Sequence, residues 1–421
     1  MFKKTVLPNG LRIVTAPQSS TRAATVFVLV GTGSKYETKE INGISHFLEH
    51  MFFKGTKKRP SPMEVTEVLD TVGGMSNAFT SDEWTGYYAK VDAGHLDLAL
   101  ELISDIFLNS LLPAKEVQKE KGVIVEEINL YRDNPSMHID DLWKELLYGD
   151  QPAGWNIVGT KESVASIMRA DLLTYMKNQY VASNTVVCVA GNIDPEKTLK
   201  KIKDLFKSIP EADFKQKPKI AEIQQSPQVL LEHRPVDQTQ IALGVRAFNL
   251  SDERRYAQDL LATSLGGMMS SRLFNEVREK LGLAYSIYSD SETNTDTGWL
   301  VSVAGVRNDR VEKAITTILK EYEKMKRVLV SPGELDKIKE HEIGRHILQV
   351  ESSDARAQFY AMQELLEKKI STPEELYAKI RSVEAEDIRQ IARAIFKPEN
   401  LNLVVLGPFK DKKPFERLLN K

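Results

Sequence analysis

The apolar positions change period along the chain, and the changes mark its elements. Leu7-Pro-Asn-Gly-Leu-Arg-Ile-Val14 predicts two short strands within residues 3–15, folded about an Asn-Gly turn. The apolar run Ala23-Ala-Thr-Val-Phe-Val-Leu-Val30 predicts a third strand over 24–32. A helix is expected from about Ile44 and another from Ser61, where Ser-Pro-Met-Glu64 has the form of a capping box with proline at the first helical position; Gly73-Gly74 ends it. Strands follow over 76–80 and 85–91, and Leu96, Ala99, Leu100, Ile103 and Phe107 mark the buried stripe of the next helix. Strands arriving in groups, not in strict alternation with helices, predict an α+β fold: a mostly antiparallel sheet with helices packed on one face.

Two features recur in the second half. Asn184-Thr-Val-Val-Cys-Val-Ala-Gly191, leading into a helix-like segment, has a counterpart in Asn400-Leu-Asn-Leu-Val-Val-Leu-Gly407. Pro113-Ala-Lys-Glu116 and Ser331-Pro-Gly-Glu334 each open a long amphipathic segment. Two copies of one domain is the economical reading. The Pro- and Lys-rich stretch from Pro210 to Pro227 separates them, which predicts domains over 1–212 and 229–421 joined by a linker over 213–228.

A chain of 421 residues, 42% hydrophobic and 28% charged, can bury two cores of ordinary size. Its formal net charge of -2 offers no broad positive field, so nucleic acid is not an expected partner. The apolar run at 23–30 is too short to span a bilayer and follows no basic leader, so no membrane association is expected and the cytoplasm is the expected location. Cys188 is the only cysteine and lies in an apolar strand, where a thiol serves as a small buried hydrophobe.

The chemistry-bearing segment is His46-Phe-Leu-Glu-His50. Residues four apart share a helix face, so His46 and His50 can both reach one Zn2+, with Glu49 close enough to take a proton from water that the metal activates. The order inverts His-Glu-x-x-His and is itself a metallopeptidase signature. A catalytic zinc takes three protein ligands, so another must come from elsewhere. The helix expected over 113–132 offers Glu120 and Glu127, seven apart and on one face, as support and ligand respectively. Spacing alone does not choose between Glu126 and Glu127. The other histidines, 95, 138, 233, 341 and 346, have no comparable arrangement.

Gly43-Ile-Ser-His-Phe-Leu-Glu-His-Met-Phe-Phe-Lys-Gly-Thr56 resembles the zinc helix of the pitrilysin family, which includes insulin-degrading enzyme and the mitochondrial processing peptidase, and the resemblance runs over essentially the whole chain. It implies a third zinc ligand at Glu127 and a supporting glutamate at Glu120. Asn77-Ala78-Phe79-Thr80 is similar to the family's exposed edge strand, which binds substrate by adding the peptide to the sheet. Arg278-Glu-Lys-Leu-Gly-Leu-Ala-Tyr285 resembles the family's Arg/Tyr pair, implied to hold the substrate carbonyl, and Gly266–Phe274 resembles the glycine-rich segment before it. The second copy has Leu260-Leu-Ala-Thr-Ser264 in place of the pentad, so one zinc per chain is implied. The implied protein is a zinc metalloendopeptidase, closest to two-domain bacterial members, that closes as a homodimer into a chamber around peptides or unfolded segments. Two readings compete: a non-catalytic peptide-binding subunit of the same fold, against which the intact pentad speaks, and a zinc hydrolase of small molecules, which the two-copy chain and edge strand suit less well.

Overall fold

The computed structural model describes residues 2–420. Its eleven strands among these residues are β1 (Lys3–Val6), β2 (Arg12–Pro17), β3 (Ala23–Val30), β4 (Met75–Thr80), β5 (Thr85–Asp92), β6 (Thr185–Gly191), β7 (Gln228–His233), β8 (Gln238–Arg246), β9 (Ala284–Thr293), β10 (Gly298–Arg307) and β11 (Asn402–Gly407). They form a six-stranded sheet in the order β1-β2-β6-β3-β5-β4 and a five-stranded sheet in the order β7-β11-β8-β10-β9. The two orders superpose when β2 to β6 are matched with β7 to β11. The sole parallel pair of each sheet falls in the same place, β2 with β6 and β7 with β11, and the other pairs are antiparallel. Identical connectivity with the parallel pair conserved in position bears out two copies of one α+β domain.

In the first sheet, inward residues of alternate parity, among them Val26, Val28, Tyr87, Ala89, Val187 and Val189, pack under helices Ile44–Phe52, Leu96–Asn109 and Arg169–Gln179. Burial of Phe47, Met51, Leu100, Ile103, Phe107 and Leu172 on that face is the expected helical layer. Ser61 accepts from the amide of Glu64 at 3.3 Å, and Gly73 adopts φ +64° where the Pro62–Asp70 helix has ended.

Each sheet also carries a helix on its other face, and here the structure goes beyond the sequence reading. Val14, Phe27, Leu29, Cys188 and Ala190 are covered by Ala357, Tyr360, Ala361 and Leu365 of the Ser353–Leu366 helix. The opposite face of the second sheet, with Ala242, Val301, Val303, Val404 and Leu406, is covered by Ile139, Leu142, Trp143 and Leu147 of Pro135–Tyr148. The chain accordingly divides into two compact units that are not sequential. The first takes the chain up to Asn129 with Trp155–Pro218 and Ile347–Thr372; the second takes Leu130–Gly154, Lys219–His346 and the chain from Pro373 on. This corrects the simple division into 1–212 and 229–421. One crossing, at Pro218/Lys219, lies inside the expected linker, whose residues form no helix or strand before Gln228. The rest exist because an amphipathic helix declares an apolar face without declaring which sheet it will cover.

No helix among the described residues is long and apolar enough to cross a membrane.

Candidate metal centre

The pentad lies on the Ile44–Phe52 helix, whose Ile44, Phe47, Leu48, Met51 and Phe52 are buried in the first unit. Burying that stripe fixes the rotation of the helix, and it turns His46, Glu49 and His50 to the remaining side. The start of the helix is held by Glu37, which lies outside the pentad and which sequence patterns did not single out. Its carboxylate accepts from the amides of Gly43 at 2.7 Å and Ser45 at 2.9 Å and from the Asn42 side chain at 3.0 Å. A negative charge there also complements the helix dipole. Gly43 sits at φ +94°, where a Cβ would come within 2.7 Å of the Val158 carbonyl oxygen, so this entry turn requires glycine. Burial pushes the Glu37 carboxyl up to about 7, against the opposing pull of the Ser45 and Gly43 amides.

The third member comes from the helix Ala114–Asp133. Glu127 points its carboxylate at both rings: its Oε2 lies 3.5 Å from His46 Nε2 and 3.5 Å from His50 Nε2. One ligand atom from each of the three residues falls within 4.8 Å of the other two. Donor atoms around a tetrahedral zinc with bonds of about 2.1 Å stand roughly 3.4 Å apart, so two edges of the triangle already have the spacing of a shared metal. Hydrogen bonds would have drawn the same atoms to about 2.9 Å. Glu126, left open by spacing, is exposed and takes no part in this cluster.

Support for the ring of His50 is also in place. Its Nδ1 lies 3.1 Å from Glu120 Oε2, and Lys54, just past the end of the helix, donates to Glu120 Oε1 at 2.9 Å. Glu120 is 1% exposed, and its buried charge is thereby shared between an imidazole N–H and an ammonium. Lys54 was not identified from sequence; its place four residues beyond His50 is the only local hint. His46 Nδ1 is buried with no hydrogen-bond partner.

The two rings differ electrostatically. Burial drives His46 down to about 4, helped by neighbouring His50 and opposed by Glu127, so its ring is neutral as metal ligation requires. Burial also depresses His50, but the neighbouring carboxylates of Glu127 and Glu120 outweigh it and leave the ring above its ordinary value. Glu49 is raised by burial, with Glu127 adding and Thr80 and His50 opposing.

Strand β4 is an outer strand of its sheet and pairs only with β5, in the register Asn77↔Tyr88 to Thr80↔Thr85. Its residues alternate in role. Phe79 meets Trp84 edge-to-face and packs against the tilted ring of Phe27 on one side, Ala78 is buried in the core shared with the pentad helix, Asn77 is exposed, and Thr80 donates to Glu49 Oε2 at 2.7 Å. Within the second unit, Arg278 and Tyr285 are brought together, the guanidinium 5.4 Å from the centre of the Tyr285 ring and 4.7 Å from that of Phe274. Arg278 lies on a π-helical turn, Phe274–Lys280, and Tyr285 is 77% exposed at the start of β9. Gly266, in the segment before them, packs so closely on β9 that a Cβ would meet the Ser289 amide nitrogen at 2.2 Å. At the place of the pentad in this unit, Thr263 and Ser264 instead donate to Glu342 and Glu334, each at 2.7 Å.

Comparison with known proteins identifies the family. The family model described as insulinase, peptidase family M16, matches residues 12–161, and that of the peptidase M16 inactive domain matches residues 166–341. The chain is 37% identical to the Bacillus subtilis protein described as uncharacterized zinc protease YmxG, covering 97% of this chain and 98% of the relative. A Streptomyces coelicolor protein, uncharacterized zinc protease SCO5738, is 34% identical over 97% of this chain and 90% of its own. Among solved structures, a Helicobacter pylori protease superposes with a TM-score of 0.90 at 27% identity, covering 97% of this chain and 99% of that one. A Pseudomonas fluorescens peptidase M16 inactive domain has the same fold, with a TM-score of 0.89 at 17% identity over 98% of this chain and all of the other. With matches of this extent along nearly its whole length, the chain belongs to the insulinase family of peptidases, family M16, the pitrilysin-like group that its pentad resembles, and to that group's two-domain bacterial members.

Proposed function

We propose that the protein is a zinc metalloendopeptidase whose metal is held by His46, His50 and Glu127 and whose general base is Glu49. The observation that carries the reading is the convergence of two imidazole Nε2 atoms and one carboxylate oxygen on a common point. Relatives described as zinc proteases support it. When bound there, zinc supplies a Lewis acid that lowers the pKa of water toward about 7 and polarises a peptide carbonyl. Glu49 takes the proton released as water adds to the carbonyl and delivers it to the departing amine. Glu120 holds the His50 ring by Nδ1–H and so fixes the tautomer that leaves Nε2 free to ligate.

Substrate enters as an extra strand along β4, whose residues Asn77–Thr80 offer backbone groups on the free edge; this mode is tolerant of sequence and suits extended peptides and unfolded segments. Arg278 and Tyr285 complete the reaction by holding the carbonyl oxygen as it gains charge. One zinc per chain, a homodimeric chamber and a cytoplasmic location belong to the same proposal. A protein that turns over as a monomer in light scattering would remove the chamber from it.

The alternative, a non-catalytic peptide-binding subunit, draws on the word inactive in one matching family model. That match covers residues 166–341, whereas both histidines and Glu127 lie within 12–161. Zinc content and cleavage of a quenched fluorescent peptide, measured on wild type and Glu49→Gln in parallel, decide between them. Zinc in both with cleavage only by wild type is the expected result; a zinc-loaded wild type that binds peptides and never cuts them would establish the subunit reading.

A further inference from the structure

The hydroxyl of Thr80 does something that strand addition does not require. It donates to Glu49 Oε2 at 2.7 Å, and this is the one hydrogen bond the Glu49 side chain makes among the described residues. We infer that Thr80 is a positioning residue for Glu49, tying the proton-accepting carboxylate to the strand on which the peptide is laid. The inference rests on the reading of Glu49 as base and of β4 as the docking strand.

Three features of the site argue for a fixed tether. Thr80 is the last residue of β4, and its backbone is pinned by pairing with Thr85 and by the Ser81 amide donating to the Trp84 carbonyl at 2.8 Å across the turn. A β-branched side chain in a strand has restricted χ1, so the hydroxyl has little freedom once the backbone is set. The bond also uses Oε2 alone, which leaves Oε1 free to receive a proton. Glu49 itself is a flexible side chain at the less buried side of its helix, and a base displaced by about 1 Å loses on the order of a hundred-fold in rate. A peptide bonded to the β4 backbone is thus registered against the same residue that aims the base. Docking and proton transfer are referred to one strand instead of to two independent elements.

The test compares Thr80→Val, which keeps the shape and removes the donor, with Thr80→Ser, which keeps the donor, and with Thr80→Ala in case valine misfolds. On zinc-loaded protein, Thr80→Val or Thr80→Ala lowers kcat roughly ten- to a hundred-fold while KM moves less than about two-fold, and Thr80→Ser restores most of the loss. In a Glu49→Ala background, Thr80→Val has no further effect on the residual rate, because the threonine acts only through that carboxylate. Crystals of metal-free Thr80→Val show the Glu49 carboxylate moved or spread over several positions, while Thr80→Ser keeps it within hydrogen-bond distance of residue 80. A wild-type kcat in both Thr80→Val and Thr80→Ala, a loss confined to KM, or a further loss in the Glu49→Ala background would overturn the inference. Full activity of Glu49→Ala itself would instead sink the general-base reading on which it stands.

Discussion

Replacing Glu120 by glutamine tests how far the proposed metal site depends on a residue placed behind its ligands. The carboxylate spends one oxygen on His50 Nδ1 at 3.1 Å and the other on Lys54 Nζ at 2.9 Å, and its side chain is 2% exposed. A glutamine has one acceptor oxygen. If it faces His50, its NH2 group confronts the Lys54 ammonium, and if it faces Lys54, the NH2 group confronts the imidazole N–H. Either way one charge-assisted bond becomes a donor–donor contact. Loss of support of this kind weakens metal binding by 10- to 100-fold, or about 1.4 to 2.8 kcal/mol. Competition titration with a chromophoric chelator measures it directly. The proton adds a signature, because Glu120 helps hold His50 above its ordinary pKa in the metal-free protein and protons compete with zinc for that ring. Glutamine relaxes the competition, so the affinity gap between variant and wild type is widest at high pH and narrows as pH falls. Equal zinc affinity at high pH, or a gap that widens on acidification, would refute the assignment of Glu120 to the metal centre.

Glu37 gives a pH dependence of stability in the metal-free protein. Its folded pKa of about 7 lies above the ordinary glutamate value of about 4.5, so its stabilising contribution is complete below about 4.5 and is lost as pH rises through 7, on the order of 3 kcal/mol. Denaturant titrations across that window should show the decline in wild type and a flatter profile in Glu37→Gln; identical slopes would exclude Glu37 as its source. Tyr360→Ala, which empties a fully buried position against β3 and β6 of the first sheet, is expected to cost about 3–5 kcal/mol in chemical denaturation, and a change below 1 kcal/mol would mean that the Ser353–Leu366 helix is not part of that core.

The legible part of this protein was whatever repeats within one turn or one strand. His46 and His50 stand four apart on a helix, and their approach needs nothing from the rest of the chain. The individual strands are also local in origin, since each β-run is bounded by its own turns, whereas their order is not: β2 pairs with β6 from the far end of the same unit. Choosing Glu127 over Glu126 needed the packing of Ala114–Asp133 against the pentad helix, because neighbouring residues differ by only one step of rotation and either phase satisfies the sequence. Lys54 acts through one contact with Glu120 and Glu37 through bonds to Gly43, Ser45 and Asn42, none of which leaves a periodic trace, and Thr80 meets the helical Glu49 from a strand. The destinations of Pro135–Tyr148 and Ser353–Leu366 were unreadable for a different reason: both advertise an apolar stripe that either sheet could accept.

Those two crossing helices change what the linker is for. Cutting the chain between Pro218 and Lys219 yields an N-terminal fragment carrying the helix that roofs the second sheet, and a C-terminal fragment carrying the one that roofs the first. Neither piece has a finished core of its own, and each holds the part the other lacks. A nicked molecule is therefore clasped together without a peptide bond, while either fragment made alone presents a bare sheet face to water and belongs in inclusion bodies. Co-expression of the two pieces should return a soluble complex, which makes this junction a natural place to split the protein for conditional reassembly.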